Sequence, residues 1–293
     1  MNAHHSSRVT FGTRLQHAIG ERGRICAGVD PHSGLLAGWG LPDTADGLRS
    51  FALAAVEALA GTVPVVKPQS AFFERHGSRG IAVLEDVIAA ARQLGALVLL
   101  DAKRGDIGST AQAYADAYLD RSSPLAVDAI TASPFLGFGA LAPLLDAAEA
   151  SGSGVFVLAL TSNPEGHQIQ HARTPSGATV AGAVLEAVAA RNADAARNAD
   201  RANADGSGLG SVGAVVGATI GHTEESLDIG GPLLVPGIGA QGGTVADVRR
   251  IFGTAARNVL PSSSREILRA GPDPAALRAT ALRLADSFGS LDA

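Results

Sequence analysis

Between Val98 and Tyr114 the chain reads VLLDAKRGDIGSTAQAY, which sets Lys103 between Asp101 and Asp106 directly behind an apolar run. Charges this close to a core are costly unless they pair and hydrogen-bond. Paired, they make a network of alternating sign that keeps an ammonium protonated and fixed, the state a proton donor needs. Lys67 at the end of TVPVVKP and Asp30 at the end of RICAGVD are further charges that follow apolar runs. Taken singly, each residue is better explained as a surface ion pair or a strand cap. Their repetition at successive strand ends is what points to chemistry.

A second kind of site is suggested nearer the C-terminus. The glycines of PGIGAQGG let backbone approach a ligand closely, and a nest of N–H groups in such a loop suits a phosphate. A tight turn explains the loop equally well. Arg265, in PSSSREIL, stands near the start of a helix and could add a guanidinium to the same anion.

These residues need a frame that gathers them. Eight short apolar runs read as strands: RICAGVD, TVPVVKP, ALVLLDAK, PLAVDAITAS, GVFVLALTS, VGAVVGAT, PLLVPGIG and AARNVLPSS. Helical patterns lie between them. Leu48, Phe51, Ala52, Ala55, Val56 and Leu59 form one stripe, with Gly61 placed to end it. Ile81, Leu84, Val87, Ile88 and Ala91 form the next, with Ser78 placed to cap it and Gly95 to stop it.

Such alternation predicts an α/β protein built as a (β/α)8 TIM barrel, although an open doubly wound sheet fits the same pattern. In a barrel the loops after the strands form one rim. Asp30, Lys67, the Asp101/Lys103 pair, Ser162, PGIGAQGG and Arg265 then fall after strands one, two, three, five, seven and eight.

The 293 residues suit one barrel domain spanning the whole chain, with an N-terminal helix extension ahead of the first strand. The biased run RNADAARNADRANADGSG reads as a low-complexity insertion around 190–210, either a solvated helix extension or a floppy segment. A formal net charge of −5, without a basic or aromatic-basic module, argues against a nucleic-acid partner. The single Cys26 cannot form an internal disulfide and reads as a buried strand residue. Neither a signal peptide nor an apolar run long enough to span a membrane is present, so the expectation is a cytoplasmic protein with no membrane partner. His4 and His5 read as part of a disordered tail.

DAKRGDIGSTAQAY resembles the Asp-x-Lys-x-x-Asp-Ile-x-x-Thr motif of the orotidine 5′-phosphate decarboxylase family. Asp30, Lys67, LTSNPEG, VPGIGAQGG and SSREIL follow that family's order over nearly the whole barrel, and VKPQSAFFERHG and VGAT resemble its divergent bacterial branch. The resemblance implies decarboxylation of orotidine 5′-monophosphate to uridine 5′-monophosphate, the last step of de novo pyrimidine nucleotide synthesis. It implies no cofactor and no metal.

By the same resemblance, Lys103 protonates C6, Asp101 sits beside the departing carboxylate, and Lys67 bridges Asp101 to the ribose hydroxyls, which Asp30 also binds. Asp106, with Ile107 and Thr110 beside it, reaches a neighbouring subunit's site, which implies a homodimer with shared active sites. Ser162 contacts the pyrimidine, and Gln241 and Arg265 hold the phosphate.

The chain departs from the family in two places. Ser264 stands before Arg265 where a glycine is more usual, and SNPEGHQIQHARTPSG is longer and more polar than its short counterparts. The rival readings are a magnesium-dependent phosphosugar lyase or synthase of the same superfamily, such as hexulose-6-phosphate synthase, and a non-catalytic nucleotide-binding barrel. The first typically carries a metal-holding acid where this chain has Lys67, and the second has no need of the Lys103 array.

Overall fold

A computed structural model describes residues 9–200 and 208–292; His4, His5 and the part of the biased run at 201–207 lie outside the described residues. All eight expected strands form: β1 (Cys26–Val29), β2 (Val65–Pro68), β3 (Leu97–Arg104), β4 (Ala129–Ala132), β5 (Gly154–Leu160), β6 (Val212–Val216), β7 (Leu233–Pro236) and β8 (Val259–Ser263). Each pairs in parallel with the next, and β8 pairs with β1 to close the ring. Closure decides between the two architectures in favour of the (β/α)8 barrel. The strands are short and almost wholly buried, as parallel strands covered on both faces must be.

The helices are α1 (Phe11–Arg22), α2 (Ser33–Gly38), α3 (Ala45–Leu59), α4 (Ser70–Glu74), α5 (Gly77–Gln93), α6 (Gly108–Leu119), α7 (Ala142–Ser151), α8 (His167–Gln170), α9 (Val180–Asp200), α10 (Val245–Phe252), α11 (Arg265–Leu268) and α12 (Pro274–Phe288). The stripe from Leu48 to Leu59 is the buried face of α3, whose start is capped by the Thr44 hydroxyl accepting from Gly47 N–H. Its end differs from expectation: Ala60 caps it in a right-handed conformation, and Gly61 is not left-handed. Gly95 does turn left-handed after α5, with φ of 85°. Ser78 lies inside α5 rather than at its cap, because the helix already begins at Gly77.

The expected N-terminal extension is α1, and it plugs the barrel. Phe11 and Leu15 are fully buried against Cys26, Val65, Leu99, Ala129, Phe156, Val215, Leu234 and Leu260, one residue from each strand. Phe11 meets Phe156 edge to face with ring centroids 5.9 Å apart. Gly154 leaves room for this ring, since a Cβ there would stand 2.4 Å from Phe11 Cδ1. Beside the plug the buried Asp128 carboxylate accepts from Arg14 at 2.6 Å and from the Val98 amide at 3.0 Å, tying α1 to β3 and β4.

The biased run is a helix extension as far as Asp200, where α9 ends. Its second residue is structural. Asn192 is buried, donates to the carbonyls of Val212 and Ile229, and accepts from Val212 N–H, so it anchors α9 to β6. No helix among the described residues is long and apolar enough to cross a membrane.

Candidate active site

Side chains alternate along each strand, so the position two residues past the plug layer also faces inward. On β2 that step leads from Val65 to Lys67, on β3 from Leu99 to Asp101, on β4 from Ala129 to Thr131 and on β8 from Leu260 to Ser262. On β1 two such steps lead from Cys26 through Gly28 to Asp30. The inward face thus changes from apolar to polar and charged at the carboxyl ends of the strands.

Asp101 is the hub. Its Oδ2 accepts from Lys67 Nζ at 3.0 Å, and its Oδ1 accepts from Lys103 Nζ at 2.5 Å and from the Thr131 hydroxyl at 2.9 Å. Lys67 and Asp101 are buried, whereas the Lys103 side chain is 44% exposed and reaches the open mouth. Burial alone would raise the Asp101 pKa, but the charges of Lys67 and Lys103 outweigh it and hold the carboxyl well below its usual range. Burial likewise opposes charge on Lys67, and Asp101 and Asp30 overcome it, so Lys67 stays protonated beyond its ordinary range. Below the array, burial pushes the Cys26 thiol up to about 12, which makes it an inert packing residue as expected.

Lys103 is the only non-glycine among the described residues with a positive φ, 49°. A left-handed lysine costs roughly 1–3 kcal/mol and persists only when its surroundings fix it. Here β3 shifts register against β4 between Leu100 and Arg104, a bulge that re-aims the side chain toward Asp101. The Lys103 amide is held by Thr131 Oγ1 at 2.9 Å.

The other expected residues take separate places on the rim. Asp30 lies near Lys67, and its Oδ1 is buried with no hydrogen-bond partner among the described residues. Asp106 does not join the array of its own chain; its carboxylate accepts from the Ile107 amide at 2.8 Å, while Ile107 and Thr110 are exposed. Ser162 lines a cavity of about 160 Å3 between the β5 and β6 loops, together with His167, His171 and His222. Gln170 ties that loop back by accepting from the Thr161 amide at 2.9 Å and donating to its hydroxyl at 2.6 Å.

In the β7 loop the amides of Gly239, Gly242 and Gly243 bond within the loop, which leaves Ala240 and Gln241 as its exposed tip. This narrows the expected nest. Arg265 opens α11, and its neighbour Glu266 packs against Gly239, so the β7 and β8 loops touch. Two residues at the array are not singled out by the motif: Thr131, inside PLAVDAITAS, which bonds Asp101, and Arg104, which follows Lys103 in the chain. A lone hydroxyl inside an apolar strand was the available signal for Thr131.

A closed (β/α)8 barrel with a Lys/Asp array at the carboxyl ends of its strands defines a barrel enzyme, the class in which the rim loops carry the chemistry. The profile of the orotidine 5′-phosphate decarboxylase / HUMPS family matches residues 23–280. The chain is 60% identical over 285 residues to an orotidine 5′-phosphate decarboxylase of Nocardioides sp., covering 96% of this chain and 100% of that protein. A Streptomyces coelicolor orotidine 5′-phosphate decarboxylase is 55% identical, with 94% and 95% covered. A Streptomyces avermitilis crystal structure assigned to the same activity superposes with a TM-score of 0.91 at 52% identity, covering 100% of this chain and 99% of that one. This chain therefore belongs to the orotidine 5′-phosphate decarboxylase / HUMPS family.

Proposed function

We propose that the protein decarboxylates orotidine 5′-monophosphate to uridine 5′-monophosphate and carbon dioxide, completing de novo pyrimidine nucleotide synthesis. The observation that carries this is the buried Asp101 carboxylate gripped by two ammoniums, one of which reaches the open mouth. Decarboxylation breaks the bond between C6 and the carboxylate and leaves its electron pair on C6, where the ring offers no simple delocalisation. A fixed positive charge beside that carbon stabilises the developing anion without reorganising at the moment of reaction. Lys103 then gives its proton to C6 and regains one from solvent.

In this proposal Asp101 holds Lys103 charged and aimed, Lys67 couples Asp101 to the ribose hydroxyls, and the unpaired Asp30 oxygen accepts from the ribose. Ser162 meets the pyrimidine, and Gln241 and Arg265 take the phosphate. Binding at the distant phosphate positions the ring, spending remote binding energy at the reacting carbon. The related magnesium-dependent lyase chemistry is disfavoured because an ammonium, Lys67, ends β2 where a cation would have to sit.

The proposal includes a homodimer with shared sites. Support comes from Asp106, whose carboxylate stays with the Ile107 amide, and from exposed apolar residues on the adjacent β3 and β4 loops. Ile107 is 61% exposed, Phe135 74% and Leu136 53%, large apolar side chains left without cover in one chain. Incubation with orotidine 5′-monophosphate, followed by the change in ultraviolet absorbance with and without a chelator, tests the activity. Chelator-insensitive turnover is expected. Chelator-sensitive turnover of a phosphosugar in its place would establish the rival lyase, and no turnover of either would leave a binding barrel.

A further inference from the structure

We propose that Arg104 is a positioning residue for the reaction: its side chain bridges back over Lys103 and locks the left-handed backbone that aims the Lys103 ammonium. This rests on the reading of Lys103 as the acid of the decarboxylation. The guanidinium donates to the carbonyl of Ala102 at 3.2 Å, closing a loop around the backbone of Lys103 from its far side to its near side. It is then held from two helices. Glu74 of α4 accepts from the same guanidinium, and Tyr118 of α6 accepts at 3.3 Å. The cation also lies 5.5 Å from the ring centre of Tyr114 and 5.9 Å from that of Tyr118, two stacked rings of α6.

Backbone contacts complete the clamp. The Arg104 carbonyl accepts from the Ser133 amide at 2.8 Å, and the Lys103 amide donates to Thr131 at 2.9 Å. Lys103 itself adds only its bond to Asp101, on a side chain that is nearly half exposed. Nothing in that single contact selects a left-handed lysine. The rigid partner is its neighbour, whose side chain is anchored to both α4 and α6. Glu74 is held in turn by the Ser70 hydroxyl at 2.5 Å, so the brace reaches the start of α4.

A shift of about 1 Å in a reacting group can cost about a hundredfold in rate, so loosening the brace should lower kcat rather than weaken substrate binding. Arg104→Met keeps a long apolar stem against the tyrosines and removes every donor. Its kcat for orotidine 5′-monophosphate should fall by roughly tenfold to a hundredfold with KM nearly unchanged. Arg104→Lys, which keeps the charge but not the fork, should fall between Arg104→Met and the wild type. Glu74→Gln changes a partner at the rim and serves if Arg104→Met does not fold; it should lower kcat by a few-fold, again without moving KM.

Wild-type turnover and its loss in Lys103→Ala are measured alongside. If the wild type is inactive or Lys103→Ala retains activity, the reading of the site fails. If Lys103 is required while a folded Arg104→Met keeps its kcat, or loses efficiency only through KM, the positioning role is overturned. An unchanged kcat in Glu74→Gln overturns it where Arg104→Met does not fold.

Discussion

Replacing Asp101 with asparagine should destabilise the protein in a way that depends on pH. Two ammoniums, Lys67 and Lys103, face two carboxylates, Asp101 and Asp30, so the array is balanced within one chain. Asparagine keeps the volume but removes a charge, and its amide group can turn a donor toward an ammonium. Lys67 is left buried without its hydrogen-bonded carboxylate, with Asp30 as the remaining negative charge near it. Breaking a buried pair from one side costs about 3–5 kcal/mol. At about 2 °C per kcal/mol for a large chain, the melting midpoint at neutral pH should drop by roughly 6–10 °C.

The pH dependence follows from the signs. In the wild type the Lys67 pKa is raised, so its stabilisation is present below its ordinary value of 10.5 and lost as pH climbs through the folded value. The Asp101 pKa is lowered, so its stabilisation is present above its ordinary value of 3.8 and lost as pH falls through the folded value. Between these limits the wild type should show a plateau. In Asp101→Asn, burial still opposes charge on Lys67 while the strongest of the charges that offset it is gone, so its folded pKa falls from the raised wild-type position. The folded variant then binds fewer protons in alkali than the folded wild type, so the stability deficit between them narrows as pH rises. Thermal unfolding followed by circular dichroism from neutral to strongly alkaline pH reads both effects. A variant as stable as the wild type, or a deficit that does not shrink with alkalinity, would refute the buried-pair reasoning.

Phe11→Ala should cost about 3–5 kcal/mol in stability, since it empties the centre of the plug, yet leave kcat of the folded protein unchanged because the array lies toward the opposite end of the strands. A loss of kcat without a loss of stability, measured on the same preparation, would show that the plug and the array are coupled. Mixing Lys103→Ala with Asp106→Ala should restore activity to about a quarter of the native sites under random subunit exchange, because half of a symmetric dimer population is mixed and each mixed dimer rebuilds one site. Failure to recover activity despite demonstrated subunit exchange would count against shared sites.

The eight strands were legible because a parallel strand covered on both faces reads as a short apolar run, and nothing else in the chain imitates eight of them in alternation with helical stripes. The helix ends were less so. Gly61 and Ser78 have the residue types of a terminator and a cap, but α3 stops with a right-handed Ala60 and α5 begins one residue ahead of Ser78. Gly77, left-handed at φ of 62°, makes the turn into α5, and Ala60 ends α3 fully buried in the core. Asn192 was hidden for a different reason: in the repetitive RNADAARNAD it is indistinguishable by sequence from Asn198, and its bonds to the carbonyls of β6 and the neighbouring loop appear only in the fold.

The charges of the array were visible as residues, whereas the strain that aims them was not. No residue type encodes a left-handed lysine. It arises because Thr131 on β4, Glu74 on α4 and the tyrosines of α6 converge on the bulge from three separate elements. What the sequence does carry is the spacing that makes the convergence possible. Val65 and Lys67, Leu99 and Asp101, Ala129 and Thr131, and Leu260 and Ser262 each stand two apart, so the strand pleat that buries the first in the plug turns the second into the mouth. A one-residue slip of β3 would send Asp101 outward into the helical layer and bring its apolar neighbours into the site. The stability of the plug and the polarity of the site are therefore set by the same register, so selection for a packed barrel floor also holds the array in place.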